Sequence, residues 1–468
     1  MQSTSVRPST DFSTFSKTHA IVVGGSMTGL LAARILADHF QQVTVIERDT
    51  YPIEPKPRSG VSQSRFLHVL LQRGQLILED MFPGLTEELV VYGAPYLNDA
   101  EDSRLFSPYG IAKKGSSPNP IRTISPTRGL LDWTVRHRLL QRPNIRFLDG
   151  CQVNALVANL TQTGIRGVEV QRPEGPQTLT ADLVVDASGK TSKAPQWLQS
   201  LGYEAPKETF LDAHIGYAHR VYEQPKAPAV EWKAAIAWPD LPHQTRSAIL
   251  FPVEGGRWIV GLGGAAPDQP PTDEAAFLDY ARSLPTPEIY NAIKDAKPLS
   301  DIIMYRGNEN RLRAYEKLPV YPEHFLVMGH AACAFNPVYG QGMTMAAIES
   351  QILDRALRQL SNEPQTGWSR KIQRQFAKAE MIPWSMATDM DQQYLKRNQS
   401  HTPLERFNYW YSSQLLDLIT HDADVYERMT RVNHMLETPD SLVNPVLLWK
   451  IFAHQVQHRW FSKEAIPA

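Results

Sequence analysis

A glycine-rich turn near the start of the chain has the spacing of a nucleotide-binding site. Gly24, Ser26 and Gly29 form a G-x-S-x-x-G motif, and Glu47 follows about 20 residues after the turn, as the dinucleotide-binding fingerprint requires. The glycines allow a tight turn and close helix packing, and the small Ser26 lets the backbone approach a pyrophosphate. Glu47 can accept hydrogen bonds from a ribose diol. These residues predict a nucleotide site; a turn in an α/β core without a ligand is the alternative.

Two later stretches place glycines and polar residues where a strand is predicted to end. In "TADLVVDASGKTS" an apolar strand delivers Asp186 and Gly189 to the carboxyl edge of a sheet, where ligands bind in open α/β folds. In "GHAACAFNPVYGQGM", Gly340 and Gly342 expose the backbone at the start of a helix, whose N–H groups can meet an anion or an electron-rich ring. Ordinary turns are the alternative in both places.

The elements that must position these residues alternate between strand and helix. The apolar run Ala20–Val23 predicts a strand, the Ala/Leu-rich segment from Met27 to Asp38 predicts a helix, and the next apolar run predicts a strand that ends in Glu47. Arg128 begins another helical pattern, "RGLLDWTVRHRLL", from which it could reach a pyrophosphate. A solvated arginine at a helix start is the alternative for Arg128.

Composition limits the classes of partner. The chain has 468 residues and a formal net charge of −1, so nothing favours nucleic acid or an anionic membrane. Its two cysteines, Cys151 and Cys333, lie far apart, so we expect neither a disulfide framework nor a metal site. The N-terminal "MQSTSVRPSTDFSTFSKTH" is expected to be a disordered lead-in without a signal peptide, and no apolar run is long enough to span a membrane. We therefore expect a cytoplasmic protein; its oligomeric state stays open.

In this order along the chain, the motifs resemble those of the group A FAD-dependent monooxygenases, which are related to aromatic hydroxylases. The resemblance runs from His19 to about Gln359 and is strongest to the bacterial flavin epoxidases of polyether biosynthesis. It is carried by "IVVGGSMTGLLAARIL", "PRSGVSQSRFLHVLLQRGQLILEDMFPGL", "TRGLLDWTVR", "DLVVDASGKTS", "LFPVEGGRWIVGLGG" and "AFNPVYGQGM". FAD is the cofactor that this resemblance implies.

The resemblance also implies which residues contact FAD. The first turn and Arg128 would contact the pyrophosphate, Glu47 the adenosine ribose, and the backbone of Val153 the adenine, while the segment Pro337–Met343 would cap the flavin ring. The implied FAD-binding residues are Gly24, Ser26, Met27, Thr28, Gly29, Glu47, Arg48, Arg128, Val153, Asp186, Gly189, Gly329, His330, Pro337, Gly340, Gln341, Gly342 and Met343.

His330 departs from the family pattern. The family usually has an aspartate directly after the strand glycine, and its carboxylate accepts a hydrogen bond from a ribityl hydroxyl. An imidazole can also bond a hydroxyl, but with a different reach and charge. We therefore expect altered or weakened retention of FAD and an unchanged fold. The ribityl location argues against a covalent bond between His330 and the flavin.

The chemistry that the resemblance implies is oxygen transfer. NAD(P)H would dock transiently and reduce FAD, and O2 would form a flavin hydroperoxide that inserts one oxygen atom into a hydrophobic small molecule of secondary metabolism, by epoxidation or hydroxylation. Epoxidation requires no protein base, because the alkene is itself the nucleophile. Tyr339, Asn336, Arg65 and His68, the last on a predicted helix, are the catalytic candidates near the cofactor.

Three other functions stay open. A flavin-dependent halogenase would share the fold, although its W-x-W-x-I-P signature is missing here. An alkene reductase would use the same flavin to deliver hydride. A flavin-binding protein without turnover is the hypothesis outside the enzyme class.

We expect three regions in an α/β architecture. A discontinuous, Rossmann-like FAD-binding domain of the p-hydroxybenzoate hydroxylase type would comprise residues 18–75, 125–200 and 300–355. A substrate domain with an antiparallel sheet over the flavin would comprise residues 76–124 and 201–299, since "HIGYAHRVYE", "KAAIAWPD", "RSAILFPV" and "RWIVGLGG" alternate or run apolar at short spacing.

Residues 356–468 are expected to form a C-terminal helical region. Trp449, Phe452, Val456 and Trp460 fall on one face of a helix, which predicts packing on the other domains. A lid over an apolar substrate and a peripheral membrane contact are the alternatives. Thr272 is the expected cap of a helix in the substrate domain.

Overall fold

The computed structural model of this chain describes residues 17–58, 60–172, 175–226, 230–306, 308–360, 366–396, 399–400 and 402–461. The N-terminal lead-in up to residue 16 lies outside the described residues. The β-strands are β1 (His19–Val23), β2 (Gln42–Ile46), β3 (Tyr96–Asn98), β4 (Ser103–Ser107), β5 (Gly110–Ile111), β6 (Arg122–Ile124), β7 (Ile145–Leu148), β8 (Gln152–Ala158), β9 (Ile165–Arg172), β10 (Gly175–Thr180), β11 (Leu183–Asp186), β12 (Glu208–Leu211), β13 (Ile215–Glu223), β14 (Ala234–Ala237), β15 (Ser247–Val253), β16 (Arg257–Ala265), β17 (Ile303–Tyr305), β18 (Asn310–Arg313), β19 (Phe325–Val327) and β20 (Cys333–Ala334).

Helices connect these strands and make up the C-terminal part. The α-helices are α1 (Met27–Leu36), α2 (Gln72–Met81), α3 (Leu85–Val91), α4 (Asp99–Asp102), α5 (Arg128–Leu140), α6 (Ala194–Ser200), α7 (Glu274–Arg282), α8 (Glu288–Ile293), α9 (Gly342–Gln359), α10 (Trp368–Lys396), α11 (Pro403–Leu418), α12 (Ala423–Asn433) and α13 (Pro445–Phe461). Short 3-10 helices span Ser62–Arg65, Tyr315–Lys317, Gly329–Ala331, Pro337–Tyr339 and Pro439–Leu442.

A parallel sheet in the order β19-β11-β1-β2-β7 forms the centre of the fold. Strands β1, β11 and β19 at its centre and one edge are largely apolar and buried, because both of their faces are covered. Ala20 and Val22 of β1 pack on one face against Leu30 of α1 and its neighbours. Ile21 and Val23 pack on the other face. The predicted βαβ unit is therefore present, and the α/β fold class is confirmed.

The register of this sheet brings the motif residues together. Val23 at the end of β1 pairs with Ile46 of β2 and with Asp186 of β11, and Asp186 pairs with Val327 of β19. Because the strands are parallel, the segments that follow them leave the sheet at the same edge. This edge is where an open α/β sheet binds its ligand.

A second, mostly antiparallel sheet lies over this carboxyl edge of the parallel sheet. Its strands are in the order β17-β13-β16-β15-β14-β4-β5. The four stretches predicted to form an antiparallel sheet are strands β13 to β16, and they pair as neighbours in the order β13-β16-β15-β14. Strand β4 joins the sheet parallel to β14, which the sequence pattern did not indicate.

Three of the expected domain boundaries fall inside or next to regular elements. Residue 76 falls inside α2, and Ile77 of α2 and Leu89 of α3 are buried in the same core as Leu30 of α1. Residue 300 precedes β17, which pairs with β13 of the second sheet. Residue 355 lies inside α9. The domain boundaries stay a prediction, because composition does not reveal which core an amphipathic helix joins.

The C-terminal helices divide into two groups. Helix α10 packs on the central core through Ile372 and Phe376. Helices α11 to α13 form a separate cluster with Leu105 of β4 and the nearby Ala112, and α13 contributes Leu447 and Ile451 to this cluster. Among the described residues no helix is both long enough and apolar enough to cross a membrane.

The predicted packing of the aromatic face of α13 is wrong. Trp449, Phe452 and Val456 are 67%, 57% and 42% exposed. The helix packs through Leu447 and Ile451, which lie on its opposite side. The side chain of Trp460 lies outside the described part of the chain.

Two local elements also differ from the sequence prediction. His68 lies in an extended segment, because α2 begins only at Gln72, where the Gln72 N–H donates to Nδ1 of His434 over 3.1 Å. A contact with a residue far along the chain thus fixes this helix start. Helix α7 is capped by Asp273, not Thr272, through a 3.0 Å bond from the Ala276 N–H to the carboxylate.

Candidate functional site

A cavity of about 1830 Å³ lies at the carboxyl edge of the parallel sheet, beneath the second sheet and the C-terminal helices. Most residues implied to bind FAD line it, namely Gly24, Ser26, Met27, Thr28, Glu47, Arg48, Arg128, Val153, Gly189, His330, Pro337, Gly340, Gln341, Gly342 and Met343. Gly29, Asp186 and Gly329 are not among the lining residues. They lie behind the wall and support it.

The first glycine turn has room for backbone only. Gly24 has a φ of +98°, and a Cβ atom there would come within 2.5 Å of the Ala187 carbonyl oxygen. A Cβ atom on Gly29 would lie 1.8 Å from the Gly24 carbonyl oxygen. These distances give the physical reason for glycine at both fingerprint positions. They allow α1 to start directly at the cavity wall.

Two helices point uncapped N-termini at this cavity. Helix α1 begins after Ser26 and helix α9 after Gln341, and in neither case does a side chain among the described residues accept a hydrogen bond from the first turn. In contrast, Thr127 caps α5 and Asp422 caps α12. The open N–H groups and the helix dipoles make both ends suitable for an anion or an electron-rich ring.

Arg128 explains why Ser26 does not cap its helix. Its Nη2 donates to the Ser26 hydroxyl oxygen over 2.9 Å, and its Nε donates to Asp132 Oδ1 over 2.8 Å. The guanidinium is buried at the cavity wall beside the α1 N-terminus. Arg128 therefore brings a fixed positive charge to the place where a pyrophosphate would lie.

Glu47 lies at the same edge, one residue beyond the end of β2. Its carboxylate accepts hydrogen bonds from the Gly25 N–H (2.9 Å) and the Asp49 N–H (3.1 Å). Arg58 makes a buried ion pair with it at 3.0 Å and lies over the Tyr51 ring. The sequence analysis missed Arg58, although the Pro57-Arg58 pair stood in a quoted motif. Arg58 orients Glu47 from behind the cavity wall.

Asp186 acts on the loop that follows it. Its carboxylate accepts hydrogen bonds from the Ser188 N–H (3.0 Å) and the Ser192 hydroxyl (2.5 Å). Burial raises the pKa of Asp186, whereas both serines oppose this rise. The side chain holds the loop that carries Gly189 into the wall.

His330 lies against the start of α9. Its Nε2 is 2.7 Å from the point that a Cβ atom on Gly342 would occupy, and its ring meets Phe335 edge to face at 6.4 Å between centroids. Burial, together with the charges of Arg128 and Lys190, lowers the pKa of His330 to about 4. At pH 7 a neutral imidazole therefore lines the cavity.

Two of the catalytic candidates belong to a hydrogen-bonded network. The Tyr339 hydroxyl donates to Asp391 Oδ1 over 2.5 Å, and the Asn336 amide donates to the same carboxylate over 3.2 Å. Both candidates line the cavity, while Asp391 on α10 is completely buried behind them. No sequence signal pointed to Asp391, because it lies in a helix outside the recognised motifs.

The other two candidates are separated by the structure. His68 lines the cavity, whereas Arg65 is exposed and lines a smaller neighbouring cavity. The sequence analysis also missed His219 of β13, which lines both cavities. Burial lowers the pKa of His68 and of His219 to about 3 in each case. Both imidazoles are therefore neutral and are weak proton acceptors.

Several buried polar atoms at the cavity have no protein partner among the described residues. They include the Ser188 hydroxyl oxygen, in the loop after β11, and the Gln341 side-chain oxygen Oε1, at the start of α9, and both residues line the cavity. Buried polar atoms are normally hydrogen-bonded, so these atoms indicate a missing polar ligand. Together with the two open helix ends, they fit an elongated dinucleotide.

One group of side chains elsewhere in the described chain could hold a metal ion. Ligand atoms of Asp417, His421 and His454 all lie within 4.8 Å of one another. None of the three lines the cavity. His454 Nε2 already lies 3.1 Å from Asp417 Oδ2, so an ordinary ion pair accounts for part of this arrangement.

Sequence comparison identifies an FAD-binding domain in this chain. Residues 17–366 match the family model described as FAD binding domain. The chain is 31% identical over 382 residues to Protein Rv3254 of Mycobacterium tuberculosis, covering 79% of each chain. It is 25% identical over 368 residues to the kynurenine 3-monooxygenase of Salinispora tropica, covering 72% of each.

The fold is also similar to that of a solved flavoprotein. The flavin-dependent brominase Bmp2 superposes with a TM-score of 0.61, covering 90% of this chain and 100% of the brominase. The two sequences are 14% identical, so this similarity concerns the fold alone.

Proposed function

This chain belongs to the FAD-binding-domain family of flavin-dependent monooxygenases, with FAD as its cofactor, and from that premise we propose that it inserts one oxygen atom of O2 into a hydrophobic small molecule. The observation that carries the proposal is the single cavity that joins two uncapped helix ends to an apolar chamber. NAD(P)H is the proposed reductant, and secondary metabolism the proposed setting.

Different cavity residues would contact different parts of FAD. The open end of α1, with Arg128, would bind the pyrophosphate, and Glu47 the adenosine ribose. The open end of α9 would face the flavin ring and favour negative charge on the reduced ring. When bound, FAD supplies the redox and oxygen-transfer chemistry, so the protein needs no metal and no nucleophile for this step.

The size and lining of the cavity support a second, apolar ligand. Its volume of about 1830 Å³ exceeds the roughly 300–1,000 Å³ of a site for one drug-sized molecule. The part away from the motifs includes apolar side chains of the second sheet and the C-terminal helices, namely Ile236, Ile249, Phe251, Leu262, Leu415 and Leu442, among polar ones such as Gln393 and Arg406. Such walls also exclude water from the reacting flavin.

Two of the cavity histidines, His68 and His219, are poor general bases, which supports epoxidation over the hydroxylation of a phenol. A phenol is activated by a base, and an effective general base has a pKa near the working pH. His68 and His219 have pKa values of about 3, far below that range. An alkene needs no such base, because the electrophilic oxygen attacks its electron pair directly.

The test is oxygen-dependent turnover by the FAD-loaded protein. The purified chain should show a flavin spectrum after addition of FAD, and NAD(P)H consumption should require O2. With ¹⁸O2 and a panel of lipophilic alkenes and phenols, the product should gain one labelled atom, preferentially on an alkene. A chain that binds no FAD would overturn the proposal.

The likeness to a brominase gives a specific reason to test halogenation as well. The same assay with added bromide or chloride should give only oxygenated products, since the proposal requires oxygen transfer to carbon. A halogenated product without ¹⁸O would favour the halogenase. Alkene reduction without O2 would favour the reductase.

A further inference from the structure

A buried carboxylate on the C-terminal helix α10 organises the wall of the flavin site. Asp391 receives three side-chain donors: the Tyr339 hydroxyl at 2.5 Å, the Asn310 amide at 2.6 Å and the Asn336 amide at 3.2 Å. It is completely inaccessible to solvent. A carboxylate has enough lone pairs for all three donors.

The network extends into every region of the fold. Asn336 also receives the Tyr217 hydroxyl of β13 on its Oδ1 at 3.0 Å, and its own N–H donates to Asn310 Oδ1 at 2.8 Å. Asn310 begins β18. The substrate sheet is thus joined to the segment before α9 through Asn336, and this segment is joined to the C-terminal region through Asp391.

We propose that Asp391 is a positioning residue for the FAD site: its carboxylate holds the segment Asn336–Tyr339, and with it the open N-terminus of α9, in the cavity wall. The segment leads directly into Gly340, which has a φ of +65°, and then into Gly342 at the start of α9. This inference rests on the proposed function, because it requires FAD to meet that helix end.

Protonation of Asp391 reduces the number of hydrogen bonds that its carboxyl group can accept. Burial raises its pKa to about 6, although the bonds from Tyr339, Asn336 and Asn310 lower it. The titratable groups that face the network are Tyr339 from the 3-10 helix, Tyr217 from β13, Tyr394 from α10 and Asp212 from the loop after β12. Once protonated, the carboxyl must donate one bond, and only the Tyr339 hydroxyl can turn to accept it. The segment before α9 is then held less firmly.

The test measures the affinity for FAD against pH by fluorescence, without substrate or turnover. The wild-type affinity should be constant above pH 7 and fall as the pH is lowered through 6. Asp391→Asn should bind FAD about tenfold more weakly at pH 8, since its amide offers one acceptor and presents an NH2 to the donors. The FAD affinity of Asp391→Asn should also no longer fall near pH 6. A remaining transition nearer pH 7 would belong to Glu349, whose pKa burial raises to about 7.

Tyr339→Phe provides a second variant in case Asp391→Asn does not fold. It removes a donor that stabilises the carboxylate, so the transition should move to higher pH. Asp279→Asn, an exposed aspartate on α7, is the matched control and should follow the wild type. Wild-type affinity and an unchanged pH profile in Asp391→Asn, or an unmoved transition in Tyr339→Phe, would overturn the inference. A wild type that binds no FAD at any pH would overturn the proposed function and this inference with it.

Discussion

His330 and Gly342 touch across the wall of the flavin site: the Nε2 atom of His330 lies 2.7 Å from the place where a Cβ atom on Gly342 would stand. The absence of a side chain at the first position of α9 is what admits an imidazole there. The two residues are therefore in direct contact, and the effect of a substitution at one should depend on the residue at the other.

Gly342→Ala should weaken FAD binding about five- to fiftyfold, because the added methyl group must displace the His330 ring that lines the cavity. The additional change His330→Ala should recover part of this loss, since it removes the colliding ring. FAD affinities of the two single variants and the double variant form a double-mutant cycle. Strict additivity of the two effects would show that the contact has no energetic role.

His330→Asp should bind FAD more tightly than the wild type, by about three- to tenfold, the worth of roughly one better hydrogen bond. The carboxylate would gain from the positive charges of Arg128 and Lys190, which act on the present imidazole. Fluorescence titration of both forms at pH 7 measures the difference. Equal affinities and equal turnover would mean that His330 does not perturb the site.

Gly24→Ala should destabilise the protein by more than about 3 kcal/mol, because it adds a steric collision to the cost of a positive φ. The collision is with the Ala187 carbonyl oxygen, 2.5 Å from the new Cβ atom. Gly367→Ala is the matched control, since Gly367 has a similar φ of +91° but open space around it. Gly367→Ala should lower the unfolding free energy by only about 1–2 kcal/mol.

Urea unfolding of both glycine variants without FAD measures this difference. Equal losses of unfolding free energy would contradict the close approach of Gly24 to the Ala187 backbone.

The unfolding free energy should fall as the pH is lowered from about 6.5 towards 4, in part through His434. Burial lowers the pKa of His434 to about 4, so the folded form takes up its proton later than the unfolded form. Stability from a depressed pKa is present above the unfolded value and is lost as the pH falls towards the folded value. His434→Asn keeps an acceptor for the Gln72 N–H but cannot titrate.

Urea unfolding between pH 4.5 and 7.5 should therefore give a shallower slope in His434→Asn, by at most about 1.4 kcal/mol per pH unit. Asp391 and Glu349 act in the opposite direction, because burial raises their pKa values. Their contribution is the same in both proteins and cancels in the comparison. Parallel slopes would refute the role of His434.

The parts of the site that follow from local sequence were predictable. The fingerprint residues Gly24 and Gly29 and the acid Glu47 have roles set by short-range geometry, and parallel strands bring their ends together whatever the rest of the chain does. Four of the seven strands of the second sheet, β13 to β16, also carried their own apolar patterns. These features needed no knowledge of distant contacts.

The supporting residues could not be predicted, because each depends on where a distant segment lands. Asp391 meets Tyr339 only because α10 packs behind the segment before α9. Arg58 meets Glu47 through a loop without regular structure. His434 sets the start of α2 from more than three hundred residues away in sequence. No periodicity or spacing encodes such pairings.

The two uncapped helix ends also bear on how much folded protein a cell contains. Thr127 and Asp422 cap their own helices, whereas α1 and α9 have no side-chain cap, and under the proposed function FAD would complete them. A ligand that binds only the folded chain stabilises it in proportion to the logarithm of its free concentration above Kd. The amount of intact protein should therefore follow the riboflavin status of the cell, so that vitamin supply sets protein abundance as well as catalytic capacity.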